Sequence, residues 1–268
     1  MLKIMTIKKL NIACGSIFLE DGWVNVDFNP VNKNIIKFNL LEKLPFEDEH
    51  FEIIYTSNFI EHIPLEKVNF FLDECFRILK KGGKIRIVTP DFDEMCRAFI
   101  TCSDDKDFKK KNFVKTEIID QLVRKKSGGN LRGLINKYFE ENDNNMINFI
   151  EMRVGKKNTK IPKMTISLMD RIKNKLYSIY VKNICMFLPN SFKNQNLSFA
   201  NIGENHVWIW DFDDLCEKMK EAKFTNIIKI NFNETNINNF TSEYLDINEY
   251  GLSRSGNEAM YLEGDKPI

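Results

Sequence analysis

KKLNIACGSIFLEDGWVNVD, residues 8–27, decides the fold more than any other stretch of the chain. Leu10, Ile12 and Ala13 are apolar, as a strand buried on both faces requires. Cys14, Gly15 and Ser16 then form a turn of small residues, and a second apolar run, Trp23 to Val26, ends in an acid, Asp27. Small residues after a first strand let the backbone approach a ligand, and a carboxylate closing the second strand takes ribose hydroxyls. These are the parts of a nucleotide-binding α/β crevice.

Working outward, a third short strand is expected over Ile35–Phe38 and a fourth over Phe51–Tyr55, closed by Ser57 and Asn58. Leu65 to Leu79 has helical spacing, with Val68, Phe71, Leu72, Cys75 and Phe76 on one face and Glu66, Lys67, Asp73 and Glu74 on the other. Gly82–Gly83 is expected to stop that helix, and Lys84–Thr89 reads as the next strand, ended by Pro90–Asp91. Strands alternating with helices predict a mostly parallel sheet with right-handed crossovers. From 93 to 205 the alternation lapses into amphipathic pieces separated by Asn- and Lys-rich stretches. It resumes with a helix over Phe212–Phe224 and strands over Asn226–Phe232 and Glu258–Glu263. The expected organisation is one discontinuous domain, 1–92 plus 206–268, carrying a helical insertion at 93–205 that would serve as a substrate lid.

Bulk properties bound the rest. A chain of 268 residues with a net charge of +1 does not coat nucleic acid over its whole surface, and no nucleic-acid-binding module accompanies its basic residues. None of the six cysteines forms a CxxC pair, so neither a zinc ribbon nor a redox dithiol is expected, and no metal site is read from the sequence. No leader is read at the start, and the expectation is a cytoplasmic protein with reduced thiols. Abundant Asn, Lys, Ile and Phe suggest an AT-rich bacterial genome.

Four segments together carry a resemblance: residues 8–27 above, LPFEDEHFEIIYTSNFIEHIP (44–64), LDECFRILKKGGKIRIVTPDFDE (72–94) and NHVWIWDFDDLCEKMKEAKF (205–224). Their order resembles the class I S-adenosylmethionine-dependent methyltransferases, in particular the subgroup found with genes for bacterial surface polysaccharides. The resemblance covers about three fifths of the chain and leaves the insertion out. It implies a Rossmann-like seven-stranded sheet with its last strand antiparallel, and S-adenosyl-L-methionine lying across the carboxyl ends of the first four strands. Carried onto matching positions, Ala13, Cys14 and Gly15 face the methionine part and Asp27 holds both ribose hydroxyls. Asn39 and Leu40 lie against adenine, and Ser57 and Asn58 sit beside the methyl donor. Two departures stand out: only Gly15 remains of the family's glycine-rich turn, and Gly15 to Gly22 is too short for a crossover helix.

On the acceptor side the candidates are Asp91, His206 and, closer to the cofactor, His62. Asp91 and Asp93, just past the fifth strand, are the carboxylate candidates: Asp91 is expected to point into the crevice as a base, and Asp93 either joins it there or N-caps a helix beginning near Glu94. His206 ends the insertion beside Val207, Trp208, Ile209 and Trp210, where it would either touch substrate or lie in a turn. His62, in EHIP, reads as a helix-entry residue near the cofactor. The two tryptophans would offer a stacking platform or belong to the core. From Lys106 to Lys182 there are 19 Lys or Arg against eight Asp or Glu. That balance suits an anionic acceptor, such as a nucleotide-linked or lipid-pyrophosphate-linked sugar, and residues 166–187 are amphipathic enough for peripheral contact with an anionic membrane at its inner face. The expected reaction is O-methylation of a sugar or phospho-sugar precursor of a surface polysaccharide. The same fold would also accept another oxygen or an amine, or persist as a non-catalytic binding protein. An NAD enzyme would need G-x-G-x-x-G with an acid about twenty residues on; one glycine, and Asp27 twelve residues after it, do not meet that pattern.

Overall fold

Leu10 and Ile12 have no exposed surface, because their strand is flanked on both sides and covered on both faces. The structure, a computed structural model, describes residues 8–15, 17–20, 22–30, 33–155, 168–189, 191–192, 197, 204–241 and 245–268. Strand β1 (Lys9–Ile12) pairs in parallel with β2 (Trp23–Asp27) and with β4 (Phe51–Ser57). Strand β3 (Ile36–Lys37), shorter than expected, pairs with β2, and β5 (Leu79–Pro90) with β4, all in parallel. Strands β6 (Thr225–Ile230) and β7 (Ala259–Asp265) close the sheet, β7 lying antiparallel between β5 and β6. The order is β3-β2-β1-β4-β5-β7-β6, the seven-stranded, Rossmann-like arrangement with a reversed last strand.

Between β1 and β2 the described residues contain no helix, as the short interval requires. Two buried asparagines replace it. Asn25 Nδ2 donates to Leu19 O at 2.7 Å while its Oδ1 accepts from Leu19 N, and Asn11 Nδ2 donates to Ile17 O and Asn25 Oδ1, both at 3.1 Å. Backbone groups that a helix would have paired are thus satisfied by side chains.

Helix α1 (Leu65–Ile78) buries Val68, Phe71, Leu72, Cys75 and Ile78 against the sheet, as its periodicity predicted. Its end is set differently from the expectation. Leu79 is already extended and begins β5, and Gly82–Gly83 lie inside that strand. Gly82 has φ +72°, and the pairing jumps from Phe51 opposite Leu79 to Ile53 opposite Lys84. The glycines serve a bulge. A Cβ on Gly83 would stand 2.8 Å from Lys80 O, closer than a side chain tolerates.

After β5 the chain enters the helical insertion: α2 (Phe92–Asp104), α3 (Phe108–Val123), α4 (Gly129–Glu140), α5 (Asn144–Val154) and α6 (Leu168–Met186). Phe113, Leu131, Tyr138, Met146 and Ile150 give it a small core of its own, apart from the main core around the sheet. Helix α7 (Phe212–Glu221) restores the α/β pattern and packs Phe224, just beyond it, edge-on against Phe76 of α1. The insertion leaves and returns at one point. Asp91 forms an isolated parallel bridge with Trp210, and Phe92 N donates to Trp210 O at 2.9 Å.

Two buried arginines fasten this arrangement. Arg86 on β5 reaches Asp246 at 2.8 Å and Glu263 on β7 at 2.7 Å, and Tyr55 OH donates to the same Asp246 at 2.7 Å. Arg153 on α5 joins Glu117 on α3 at 2.6 Å to Glu258, just before β7, at 3.5 Å. The second cluster bolts the insertion to the core.

Candidate active site

Six strands, all but β7, run the same way and end at one edge, and the crevice outside those ends is where an open α/β sheet binds ligands. Ala13 (φ +54°) and Gly15 (φ +54°) turn the chain sharply away from β1. Gly15 N donates to Asp27 Oδ2 at 2.8 Å, and Asn29 N donates to Asp27 Oδ1 at 2.7 Å. These two bonds fix the Asp27 carboxylate across the mouth of the turn, and each oxygen keeps a lone pair for a hydroxyl donor. A Cβ on Gly15 would meet nothing within 4 Å, so the turn is open on its outer side. The residues therefore fit a ribose and the chain attached to it. Cys14 is buried, and burial together with Asp27 pushes its thiol up to about 12, so it stays protonated.

Beyond β3, Asn39 Oδ1 accepts from Leu41 N at 3.2 Å and its Nδ2 donates to Glu42 at 2.7 Å, leaving the residue half-buried at the crevice edge. Leu40 is 3 % exposed and belongs to the main core, so its side chain supports the loop from beneath. At the end of β4, Asn58 has φ +50°, and its Nδ2 donates to Ser57 Oγ and Ser255 Oγ, both at 3.3 Å. Ser255 brings the loop before β7 over the crevice, a participant that sequence reading missed.

The acceptor end departs from expectation. Asp91, and not Asp93, caps the helix after β5: its Oδ1 accepts from Asp93 N at 3.1 Å and Glu94 N at 3.4 Å, and α2 starts at Phe92. Its Oδ2 pairs with Lys229 of β6, so both oxygens of the predicted base are committed to protein partners. Asp93 stands exposed in the first turn, 3.5 Å from Arg97. Trp210 is core, 1 % exposed, while Trp208 remains at the surface with the two rings 6.3 Å apart.

His62 and His206 meet. They lie 144 residues apart in sequence, yet their rings stand edge to face with centroids 4.9 Å apart. His62 sits in a 3-10 turn (Ile60–His62) after β4, with its Nδ1 2.7 Å from Asn205 O. Burial lowers the pKa of both histidines; His206, also facing His62 and Arg124, is pushed down to about 3. Glu61 completes the group and was not singled out in the sequence. Its carboxyl is 1 % exposed, accepts from Thr89 Oγ1 at 3.1 Å, and is raised by burial to about 7. The absence of a compact acid–histidine cluster, expected from the sequence, is thereby corrected: Glu61, His62 and His206 each bring a donor atom within 4.8 Å of the others. Linear spacing hid the cluster because the insertion separates its members.

A cavity of about 370 Å³ bordered by Glu52, Lys81, Gly82 and Asn239 lies at the opposite edge, where β4 and β5 begin. It is remote from the strand ends that hold every candidate above.

Residues 24–87 match a family model described as a methyltransferase domain, a span running from β2 into β5. No curated protein matches the chain. Among solved structures it is similar to an S-adenosylmethionine-dependent methyltransferase from Archaeoglobus fulgidus, with 14 % identity over 98 % of this chain and 87 % of that one, at a TM-score of 0.42. A Thermotoga maritima S-adenosylmethionine-dependent methyltransferase gives 12 % identity over 97 % and 81 %, with a TM-score of 0.40. The PH0226 protein of Pyrococcus horikoshii gives 26 % identity over 34 % of this chain and 52 % of that one, with a TM-score of 0.30. At those scores the solved structures add no weight. The family match and the sheet order do: the chain carries the class I methyltransferase fold, that of an enzyme using S-adenosylmethionine.

Proposed function

We propose that this enzyme O-methylates an anionic sugar or phospho-sugar precursor of a bacterial surface polysaccharide, working in the cytoplasm at the inner face of the membrane. The observation that carries the reading is helix α6. Ile172, Leu176, Ile179 and Tyr180, at i, i+4, i+7 and i+8, share one stripe, and all four are exposed, as are Met186 and Phe187 beyond them. An apolar stripe on a basic helix suits the surface of an anionic bilayer, where a lipid-linked precursor is presented. The surplus of 19 basic over eight acidic residues between Lys106 and Lys182 supports an anionic acceptor in the same direction. No described helix is long and apolar enough to cross a membrane, so the contact is peripheral. Residues 166–167 of the amphipathic stretch lie outside the described residues.

When bound, S-adenosylmethionine supplies a sulfonium methyl group open to direct displacement. The chain's own contribution begins with Asp27, which would hold the ribose hydroxyls through its free lone pairs, oriented by Gly15 N and Asn29 N. Ser57, Asn58 and Ser255 border the place where an acceptor oxygen would stand in line with the transferred group. Holding two reactants in that geometry provides much of the acceleration of a displacement. With both Asp91 oxygens engaged, this end would position the acceptor: as the O–CH3 bond forms and the S–CH3 bond breaks, the hydroxyl proton would leave to water.

The test has two stages. Calorimetry with S-adenosylmethionine, its demethylated product and NAD should give binding of the two sulfur nucleotides alone. Labelled methyl transfer is then assayed on nucleotide-linked and lipid-pyrophosphate-linked sugars, with co-sedimentation on phosphatidylglycerol vesicles. Transfer to a non-sugar acceptor only would overturn the glycan reading, and binding without any transfer would favour a non-catalytic protein. Asp91→Asn should retain turnover; loss of turnover with cofactor binding intact would return the base to Asp91.

A further inference from the structure

We infer that Glu61, His62 and His206 form a binding site for one divalent transition-metal ion of the zinc class, and that the ion clasps the returning end of the insertion to the edge of the sheet.

Two imidazoles and a carboxylate are the donor set that zinc takes with one position left open. Each residue brings one donor atom within 4.8 Å of the others, and His62 Nε2 stands 3.8 Å from Glu61 Oε1. Metal bonds of roughly 2.0–2.1 Å put neighbouring donors of a tetrahedral site about 3.4 Å apart. The Glu61–His62 edge is thus close to the required spacing, and His206 closes the remainder by moving its ring.

Two further observations point to an ion. Asn205 O can only accept, so the His62 Nδ1 that it meets at 2.7 Å carries the proton, and Nε2 keeps its lone pair toward the cluster. Metal-binding histidines are oriented in this way, with the far nitrogen donating to a carbonyl. Glu61 Oε1 is buried and has no hydrogen-bond partner, while Oε2 accepts from Thr89. A buried carboxylate oxygen left without a partner is costly unless something cationic or protic fills the gap. Opposing the ion is Arg124, which faces both histidines, but its guanidinium is shared with Asp120 at 3.2 Å.

The backbone supports the clasp. Glu61 O accepts from Val207 N at 2.8 Å and Trp208 N at 3.2 Å, and His206 N donates to Gln121 O at 2.9 Å. The segment returning from the insertion is therefore already laid against the turn after β4, and an ion would bind the two through their side chains.

Zinc is titrated into the full chain, freed of metal with a chelator, in competition with a chromophoric indicator. One equivalent should bind, and cobalt(II) in its place should give the visible absorption of a four-coordinate site. His206→Ala should weaken zinc at least about tenfold, as should Glu61→Gln, which keeps the shape and removes the anionic donor. His50→Ala, outside the cluster, should change nothing. Zinc should also raise the melting temperature of the wild type and not that of His206→Ala. No saturable uptake by the wild type, uptake unchanged in both cluster variants, or loss in His50→Ala would each overturn the proposal. If His206→Ala fails to fold, the cobalt spectrum of the wild type and Glu61→Gln still decide it.

Discussion

The two ends of the crevice are built on different plans. The candidate cofactor end, from Ala13 to Asn39, is held by bonds between residues close in sequence. Gly15 holds Asp27 across twelve residues, and each strand end delivers its own side chain to the edge. The acceptor end gathers Glu61 and His62, Thr89 and Asp91, Asn205 to Trp208, Lys229 and Ser255 from five separate parts of the chain. Local construction leaves a motif in the sequence. Assembly from distant segments leaves its signal in the contacts.

The largest effect expected from breaking this contrast comes from Arg153→Met. It leaves Glu117 and Glu258 buried without their cation and unbolts the insertion from β7, at a cost of about 3–5 kcal/mol. Urea denaturation of the variant would show it, and the protein that remains folded should still bind S-adenosylmethionine, because the cofactor end owes nothing to that bolt. Asp27→Ala is the converse. It should weaken S-adenosylmethionine about 100-fold by calorimetry, as loss of a charge-assisted, bidentate contact implies, while the fluorescence of Trp208 and Trp210 stays as in the wild type. Affinity unchanged in that variant would sink the assignment of the ribose site.

Gly15→Ala is milder. The space beside Gly15 is open, so the penalty is the left-handed backbone alone, about 1–2 kcal/mol, read as a lower melting temperature and a few-fold weaker cofactor. The smallest effect sharpens the acceptor side. Burial, and then Glu117, hold the Glu258 carboxyl well above the usual carboxylate range, with Arg153 acting against them. The folded state therefore keeps a proton that the unfolded chain has released, and stability falls as pH rises above that range. Glu258→Gln has no proton to lose. It should match the wild type near pH 4 and melt about 2–4 °C higher at pH 8, a shift corresponding to roughly 1 kcal/mol. Equal pH profiles for both proteins would show that the carboxyl is ionised throughout.

The same contrast explains what was legible in the sequence. Apolar runs and their spacing were enough for the sheet, for α1 and for α7, because burial follows directly from period. The Asp27 turn was legible because the groups that hold its carboxylate, Gly15 N and Asn29 N, lie within the same short stretch of sequence. Gly82–Gly83 misled because glycine serves a bulge as well as a helix end, and only pairing with β4 separates the two. The cap fell to Asp91 and not to Asp93 because either acid suits the start of a helix, and the Lys229 that ties down Asp91 comes from β6. Glu61 escaped notice since a carboxylate before a histidine carries no sign that it will be buried, or that the histidine it joins lies beyond a hundred-residue excursion.

That excursion begins and ends at one seam, where Asp91 bridges Trp210 and Phe92 N reaches Trp210 O. Topologically the insertion is then a single loop hung between adjacent points, however long it is. Such a loop can be lengthened, exchanged or shed over evolutionary time without reordering a strand or moving the cofactor edge. A lineage holding this seam could replace one contiguous cassette of sequence and keep every strand in its place.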